Sequence, residues 1–202
     1  MTTIHRETIE WCDIWIRGAD RTDQPRVLFI GDSICRGYYP HVEKLLEGKL
    51  ACARVATSRF VSDPVYQQEL ALVLGQYRFQ AIHVNNGLHG WDYTEDDYAG
   101  GLMDLVGFLR RLAPAAKLIW AQSTPIYLAG EPGRFDPRHQ RVVERNRLAA
   151  RVMAGEGIPL NDLFSLAVGK SAWFTADGIH YTAEGSAALG AQVAAHVAAG
   201  FA

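Results

Sequence analysis

Cysteine is scarce in this chain. There are three in 202 residues, Cys12, Cys35 and Cys52, with no Cys-x-x-C pair. An odd, widely spaced set excludes a disulfide framework as the source of stability and gives no zinc-knuckle pattern. Reduced thiols in a cytoplasmic protein are the expectation. An excess of one charge is missing too. Twenty Lys and Arg against 22 Asp and Glu leave a net charge of −2, so electrostatics makes no case for nucleic acid or acidic membranes as partners. No apolar run approaches the roughly 20 residues of a membrane span, and no membrane insertion is expected. The opening stretch MTTIHRETIEWCDIWIRGAD mixes charges with aromatics and lacks the apolar core of a secretory signal. Internal repeats and low-complexity linkers are absent.

What is present is a composition of 49% hydrophobic and 21% charged residues, ordinary for a soluble globular protein. The length suits one domain with a sizeable core. Residues 1–202 are therefore read as a single domain, with 1–25 as an N-terminal extension packed on it. Trp11, Ile14 and Trp15 recur at helical spacing and predict a short amphipathic helix there.

Short apolar runs alternate with helical patterns along the chain. Strands are expected at 27–30, 51–56, 81–84, 117–121 and 158–160. Helices are expected at 41–49, 65–75, 94–112, 137–155 and 182–197. Thr94 with Asp97 reads as a capping box, and Asp136 followed by Pro137 as an N-cap with proline in the first turn. Alternating strands and helices imply parallel pairing with right-handed crossovers. Strands apolar at successive positions imply burial on both faces. The fold class is α/β, a three-layer α/β/α sandwich with about five parallel strands. Ligands in such sheets sit outside the carboxyl ends of the strands.

Those ends carry reactive residue types. Gly31-Asp32-Ser33 follows the first of these strands, Asn85-Asn86-Gly87-Leu88-His89 the third, Ser123-Thr124-Pro125 the fourth, and Asp177-Gly178-Ile179-His180 precedes the last helix. A serine hydroxyl is a weak nucleophile that needs a base to take its proton. His180 can serve, and Asp177 can accept from its other ring nitrogen and set the tautomer. A tetrahedral intermediate needs donors aimed at its oxyanion. The backbone N–H of Ser33 is one candidate, the amides of Asn85 and Asn86 are others, and Gly87 allows close backbone approach. Asp-x-x-His occurs twice; the copy at Asp136 and His139 opens a charged helix and is set aside.

The blocks "VLFIGDSI", the Asn-bearing turn and "DGIH" resemble the SGNH hydrolases, the GDSL-type esterase and lipase family. The resemblance runs from about residue 26 to 197. It implies a flavodoxin-like sheet and an esterase that uses no metal or other cofactor. It assigns Ser33 as nucleophile, Asp177 as orienting acid and His180 as base. Two blocks depart from the family pattern. "NNGLHG" replaces Gly-x-Asn-Asp, which leaves Asn85, favoured, and Asn86 as the oxyanion donor. "VATSRF" lacks the second-block glycine, for which Ser58 or a neighbouring amide would substitute. Cys35 stands where a Gly-x-Ser-x-Gly elbow would have its second glycine.

Asp32, His89 and Trp91 are candidates for contact with substrate, with Asp32 also able to organise its own turn. His83 reads as a core residue. Trp91, Tyr93, Tyr98, Tyr127 and Phe135 either border the site or cap the core. Arg138, Arg141, Arg145, Arg147 and Arg151 read as a solvated or subunit-contacting helix face, which leaves a homo-oligomer open. The expected activity is removal of a short acyl group, foremost acetyl, from a carbohydrate or small alcohol. Lysophospholipase, thioesterase or acyltransferase activity is the alternative within the family. A non-catalytic ligand-binding domain is the alternative from another class.

Overall fold

The computed structural model describes residues 3–201. Eight strands and six α-helices follow in chain order: β1 (Cys12–Ile16), β2 (Arg26–Gly31), α1 (Ser33–Leu46), β3 (Ala51–Thr57), α2 (Pro64–Leu74), β4 (Ala81–Val84), α3 (Glu95–Leu112), β5 (Lys117–Ala121), β6 (Tyr127–Leu128), β7 (Glu131–Phe135), α4 (His139–Gly155), β8 (Leu160–Asn161), α5 (Leu163–Ala167) and α6 (Ala183–Ala199). A six-stranded sheet has the order β1-β3-β2-β4-β5-β8. Its pairings are parallel except for β1, which runs antiparallel to β3 at the edge.

The apolar run at 27–30 shows why the sheet is buried on both sides. Side chains alternate across a strand. Val27 and Phe29 enter one core with α1, α5 and α6, whereas Leu28 and Ile30 enter the other with α2, α3 and α4. All four are fully buried, and each such side chain contributes about 1.5–3 kcal/mol of transfer free energy. The predicted capping box is present. The Asp97 amide donates to Thr94 Oγ1 and the Thr94 amide to Asp97 Oδ2.

Three local expectations are corrected. Residues 12–16 form strand β1, not a helix. An apolar spacing over five residues fits either period, and the free edge of β3 decides, with both carboxylate oxygens of Asp13 accepting from Arg54 at 2.8 and 2.9 Å. Helix α1 starts at Ser33, eight residues before the predicted start, because Asp32 caps it by accepting from the Ile34 amide at 2.9 Å. Helix α4 starts at His139, and Asp136 instead binds the amide and guanidinium of Arg138. The hairpin β6–β7 and the short helix α5 lie in segments without a predicted element.

His83 lies in the sheet centre, fully buried between Phe29 and Tyr38. Gln192 donates to Asn161 Oδ1 (2.9 Å), which turns Asn161 Nδ2 toward His83 Nε2 at 3.0 Å. That nitrogen must accept, so the ring is neutral. Burial, with a small contribution from the charge of His196, pushes its pKa down to about 3. The unfolded ring titrates near about 6.5. Below that value the unfolded chain takes up a proton that the folded one refuses, so stability falls as pH drops from about 6.5 toward 3. Urea unfolding at pH 7 and pH 5 should show the loss, and His83→Gln should flatten it. Equal pH dependence in both proteins would contradict this account.

Candidate active site

Ser33, Asp177 and His180 meet at the carboxyl edge of the sheet. Ser33 is the first residue of α1, directly after β2. Gly31 is needed at the strand end because a Cβ there would stand 2.6 Å from Cys35 Cβ. His180 Nε2 lies 2.8 Å from Ser33 Oγ, and its Nδ1 lies 2.6 Å from Asp177 Oδ2. The hydroxyl, imidazole and carboxylate form one continuous chain across 147 residues of sequence.

The loop that carries the ring is held from within. Asp177 Oδ1 accepts from the amides of Ile179 and His180, each at 2.9 Å, and from the Thr175 hydroxyl at 2.8 Å. Partial burial alone would raise the Asp177 pKa. The hydrogen bonds from the His180 ring, the two amides and Thr175 outweigh it and hold the carboxyl well below its usual range. Gly178 has φ +74° and passes so close to the backbone of Tyr127 that a Cβ would collide with it. Hairpin β6–β7 braces this loop, because the amide of Tyr127 donates to Gly178 O at 2.8 Å and that of Gly130 to Ala176 O at 2.7 Å.

Ser33 and His180 open on a cavity of about 550 Å³, with Leu88, His89, Trp91 and Ile179 among its walls. Clefts of about 140 and 510 Å³ lie at the opposite, amino edge of the sheet, far from this chemistry. His89 and Trp91 thus sit where substrate contact was expected. Asp32 does not: it is buried, capping α1 from below.

The expected oxyanion donors are mostly engaged elsewhere. Asn85 Nδ2 donates to Ala121 O (2.7 Å) and Ser123 Oγ (3.3 Å). Asn86 Nδ2 donates to Arg59 O (2.8 Å). Ser58 N–H donates to Trp11 O (3.1 Å) and Arg59 N–H to Thr57 Oγ1 (3.2 Å). The asparagines tie the third turn to its neighbours, the Ser58 amide ties down the N-terminal segment, and the Arg59 amide closes on its own turn. The Ser33 amide, in the first turn of α1, has no intrahelical acceptor.

Sequence reasoning missed several residues that build the site. Arg145 does not lie on a solvated face; it is fully buried. Its guanidinium donates to the carbonyls of Gly87 (3.0 Å), His89 (2.8 Å) and Gly90 (2.9 Å), and lies over the Trp91 ring at 4.8 Å. Asn146, one residue on, exchanges two 2.8 Å bonds with the backbone of Ser123. An inward position at i and i+1 on an otherwise polar helix was the available signal. Glu7 reaches His89 Nδ1 at 3.0 Å from the N-terminal segment, which no local pattern marks. Among the aromatics, Tyr93, Tyr98 and Tyr127 are core residues, while Phe135 is partly exposed and stacks on His139 at 3.8 Å. Among the described residues no group of three or more His, Cys, Asp or Glu is placed to hold a metal ion, and no helix is long and apolar enough to cross a membrane.

A mostly parallel sheet between two layers of helices is also the fold of solved structures described as GDSL-like lipases and esterases. A GDSL-like lipase from Bacteroides thetaiotaomicron superposes with a TM-score of 0.69 at 17% identity, over 90% of this chain and 94% of that one. The aryl esterase of M. smegmatis matches with a TM-score of 0.69 at 18% identity, over 87% and 99%. A carbohydrate acetylesterase from Sinorhizobium meliloti matches with a TM-score of 0.68 at 17% identity, over 87% and 99%. No protein-family model and no curated protein matches the sequence.

Proposed function

We infer that this protein is a serine esterase that releases a short acyl group, foremost acetyl, from a carbohydrate or small alcohol. The observation that carries the reading is the chain from Ser33 Oγ through His180 to Asp177, at 2.8 and 2.6 Å, opening on the cavity. In the first step Ser33 Oγ attacks the ester carbonyl carbon and its proton passes to His180 Nε2. Asp177 accepts the Nδ1–H and stabilises the imidazolium. The tetrahedral intermediate collapses, the bond to the alcohol oxygen breaks, and His180 returns the proton to that oxygen. Water then attacks the acyl-enzyme, His180 takes its proton, and the acid leaves as Ser33 recovers its hydrogen.

The short acyl group rests on space. Beneath the site, between Cys35, Asn85, Leu88 and Thr124, the remaining void is about 10 Å³, which offers no tunnel for a long chain. The sugar-like or small alcohol side rests on the open cavity and the Trp91 face. Solved structures of the same fold include a carbohydrate acetylesterase and acetylxylan esterases. Unpaired Cys12, Cys35 and Cys52 go with a cytoplasmic setting.

The reading is tested with p-nitrophenyl acetate and a fluorophosphonate probe. Turnover and a single adduct on Ser33 by intact-mass and peptide analysis are expected. Purified protein that neither turns over the ester nor takes the label would sink it.

A further inference from the structure

Five features converge on His89. Its ring lines the same cavity as Ser33 and His180. Its Nδ1 is 3.0 Å from both carboxylate oxygens of Glu7. Glu7 is itself fixed by the Gly90 amide at 3.1 Å. Of the other candidate donors, those on Asn85, Ser58 and Arg59 are bonded elsewhere. The turn that carries His89 is bolted by Arg145, whose guanidinium donates to His89 O at 2.8 Å.

We propose that His89 is the second oxyanion donor of this site, its Nε2–H pointing at the acyl oxygen beside the Ser33 amide, with Glu7 as its positioning residue. The proposal rests on the esterase reading above. It follows from the ring's bonding. A carboxylate at Nδ1 requires a hydrogen there. A neutral ring then has a bare Nε2, which can only accept. Only the imidazolium carries hydrogens on both nitrogens, one for Glu7 and one for the oxyanion. The donor is therefore a cation, and it exists only while the ring keeps its second proton.

The surroundings favour that form. Burial disfavours the charged ring, but the hydrogen bond it donates to Glu7 and the charges of Asp32 and Glu7 outweigh it, against an opposing effect of Arg145, and raise the His89 pKa. For Glu7, burial is outweighed by the bond and charge of His89 and by the Gly90 amide, which lower its pKa. Arg6, Asp92, Arg138 and His180 also face the cavity. The active protein then needs two histidines in opposite states, a neutral His180 to take the Ser33 proton and a charged His89 to hold the oxyanion. Its Glu7 partner comes from the segment before β1, which Arg6, paired with Asp63, and Glu10, paired with Arg59, fasten over the site.

The test is kcat and KM for p-nitrophenyl acetate between pH 5 and 9.5. The wild type should show an alkaline limb, from loss of the His89 proton. Glu7→Gln keeps an acceptor but removes the charge, so the alkaline limb should move to lower pH. His89→Ala should lower kcat by about 10²–10³-fold with a smaller change in KM. His89→Asn, a neutral donor, should recover part of that loss and abolish the alkaline limb. An alkaline limb that Glu7→Gln leaves in place, or a His89→Ala kcat within threefold of wild type, overturns the proposal. Labelling of Ser33 by fluorophosphonate in wild type separates the two failures. If Ser33 is labelled and these variants behave as wild type, only the oxyanion assignment falls; if Ser33 is never labelled, the esterase reading falls first.

Discussion

Ser33→Ala is expected to cut ester hydrolysis by about 10⁴–10⁶-fold while leaving the fold as it is. The hydroxyl makes a single hydrogen bond, 2.8 Å to a half-exposed imidazole, and alanine is the best helix former at the head of α1. Stability should therefore change by no more than about 0.5 kcal/mol, measured by thermal melting beside the kinetics. Undiminished turnover would place the nucleophile elsewhere. Asp177→Asn should approach the same loss, on the order of 10⁴-fold, because an amide in that place favours the wrong tautomer of His180. It also weakens an acceptor that now takes hydrogens from Ile179, His180 and Thr175. Since its folded pKa is depressed, the Asp177 carboxylate stays ionised at neutral and mildly acid pH, and its contribution is lost only as pH falls below the ordinary carboxylate range near about 4. Loss of activity between pH 7 and 5 is then not the protonation of Asp177.

The largest effect on stability should come from Arg145→Ala, a loss of about 3–5 kcal/mol. Three buried carbonyls, of Gly87, His89 and Gly90, would lose their donor, and Trp91, Phe60 and Tyr98 would lose the cation against their faces. Each unpaired buried acceptor costs about 1–3 kcal/mol. For a domain of this size that lowers the melting temperature by on the order of 10 °C. Activity should fall as well, because the same turn carries His89 and Trp91. Arg145→Lys should restore only part of the stability. An ammonium is a point donor and does not reproduce a planar fork spread over three carbonyls. A melting temperature within two degrees of wild type for Arg145→Ala would show that the loop does not depend on this bolt.

The parts of the fold that read well from sequence are those whose signal is local. Ala81–Val84 and Lys117–Ala121 have the bounds the apolar runs predicted, and the Thr94 cap marks its helix start because both partners lie three residues apart. Strand β1 read as a helix because a few apolar residues at mixed spacing fit both periods, and only the vacant edge of β3 selects one. The hairpin β6–β7 escaped notice because its strand Tyr127–Leu128 is two residues long and it braces a loop that lies far along the chain, at Ala176 and Gly178. The site divides in the same way. Ser33, Asp177 and His180 could be named because each stands beside an element end that its own neighbours announce. The direction of an amide or a guanidinium could not. Asn85 is turned by Ala121, Asn86 by Arg59, and His89 by Glu7, 82 residues earlier.

The sequence by itself determined the alternation of buried strands and amphipathic helices, and with it the sheet edge on which a serine, an acid and an imidazole had to emerge. Backbone period, caps and burial act over a few residues and leave their mark there. Only the tertiary structure decided which polar groups were spent on holding turns together and which were left facing the cavity. A hydrogen bond consumes its donor wherever the partner lies along the chain, and that partner is set by packing.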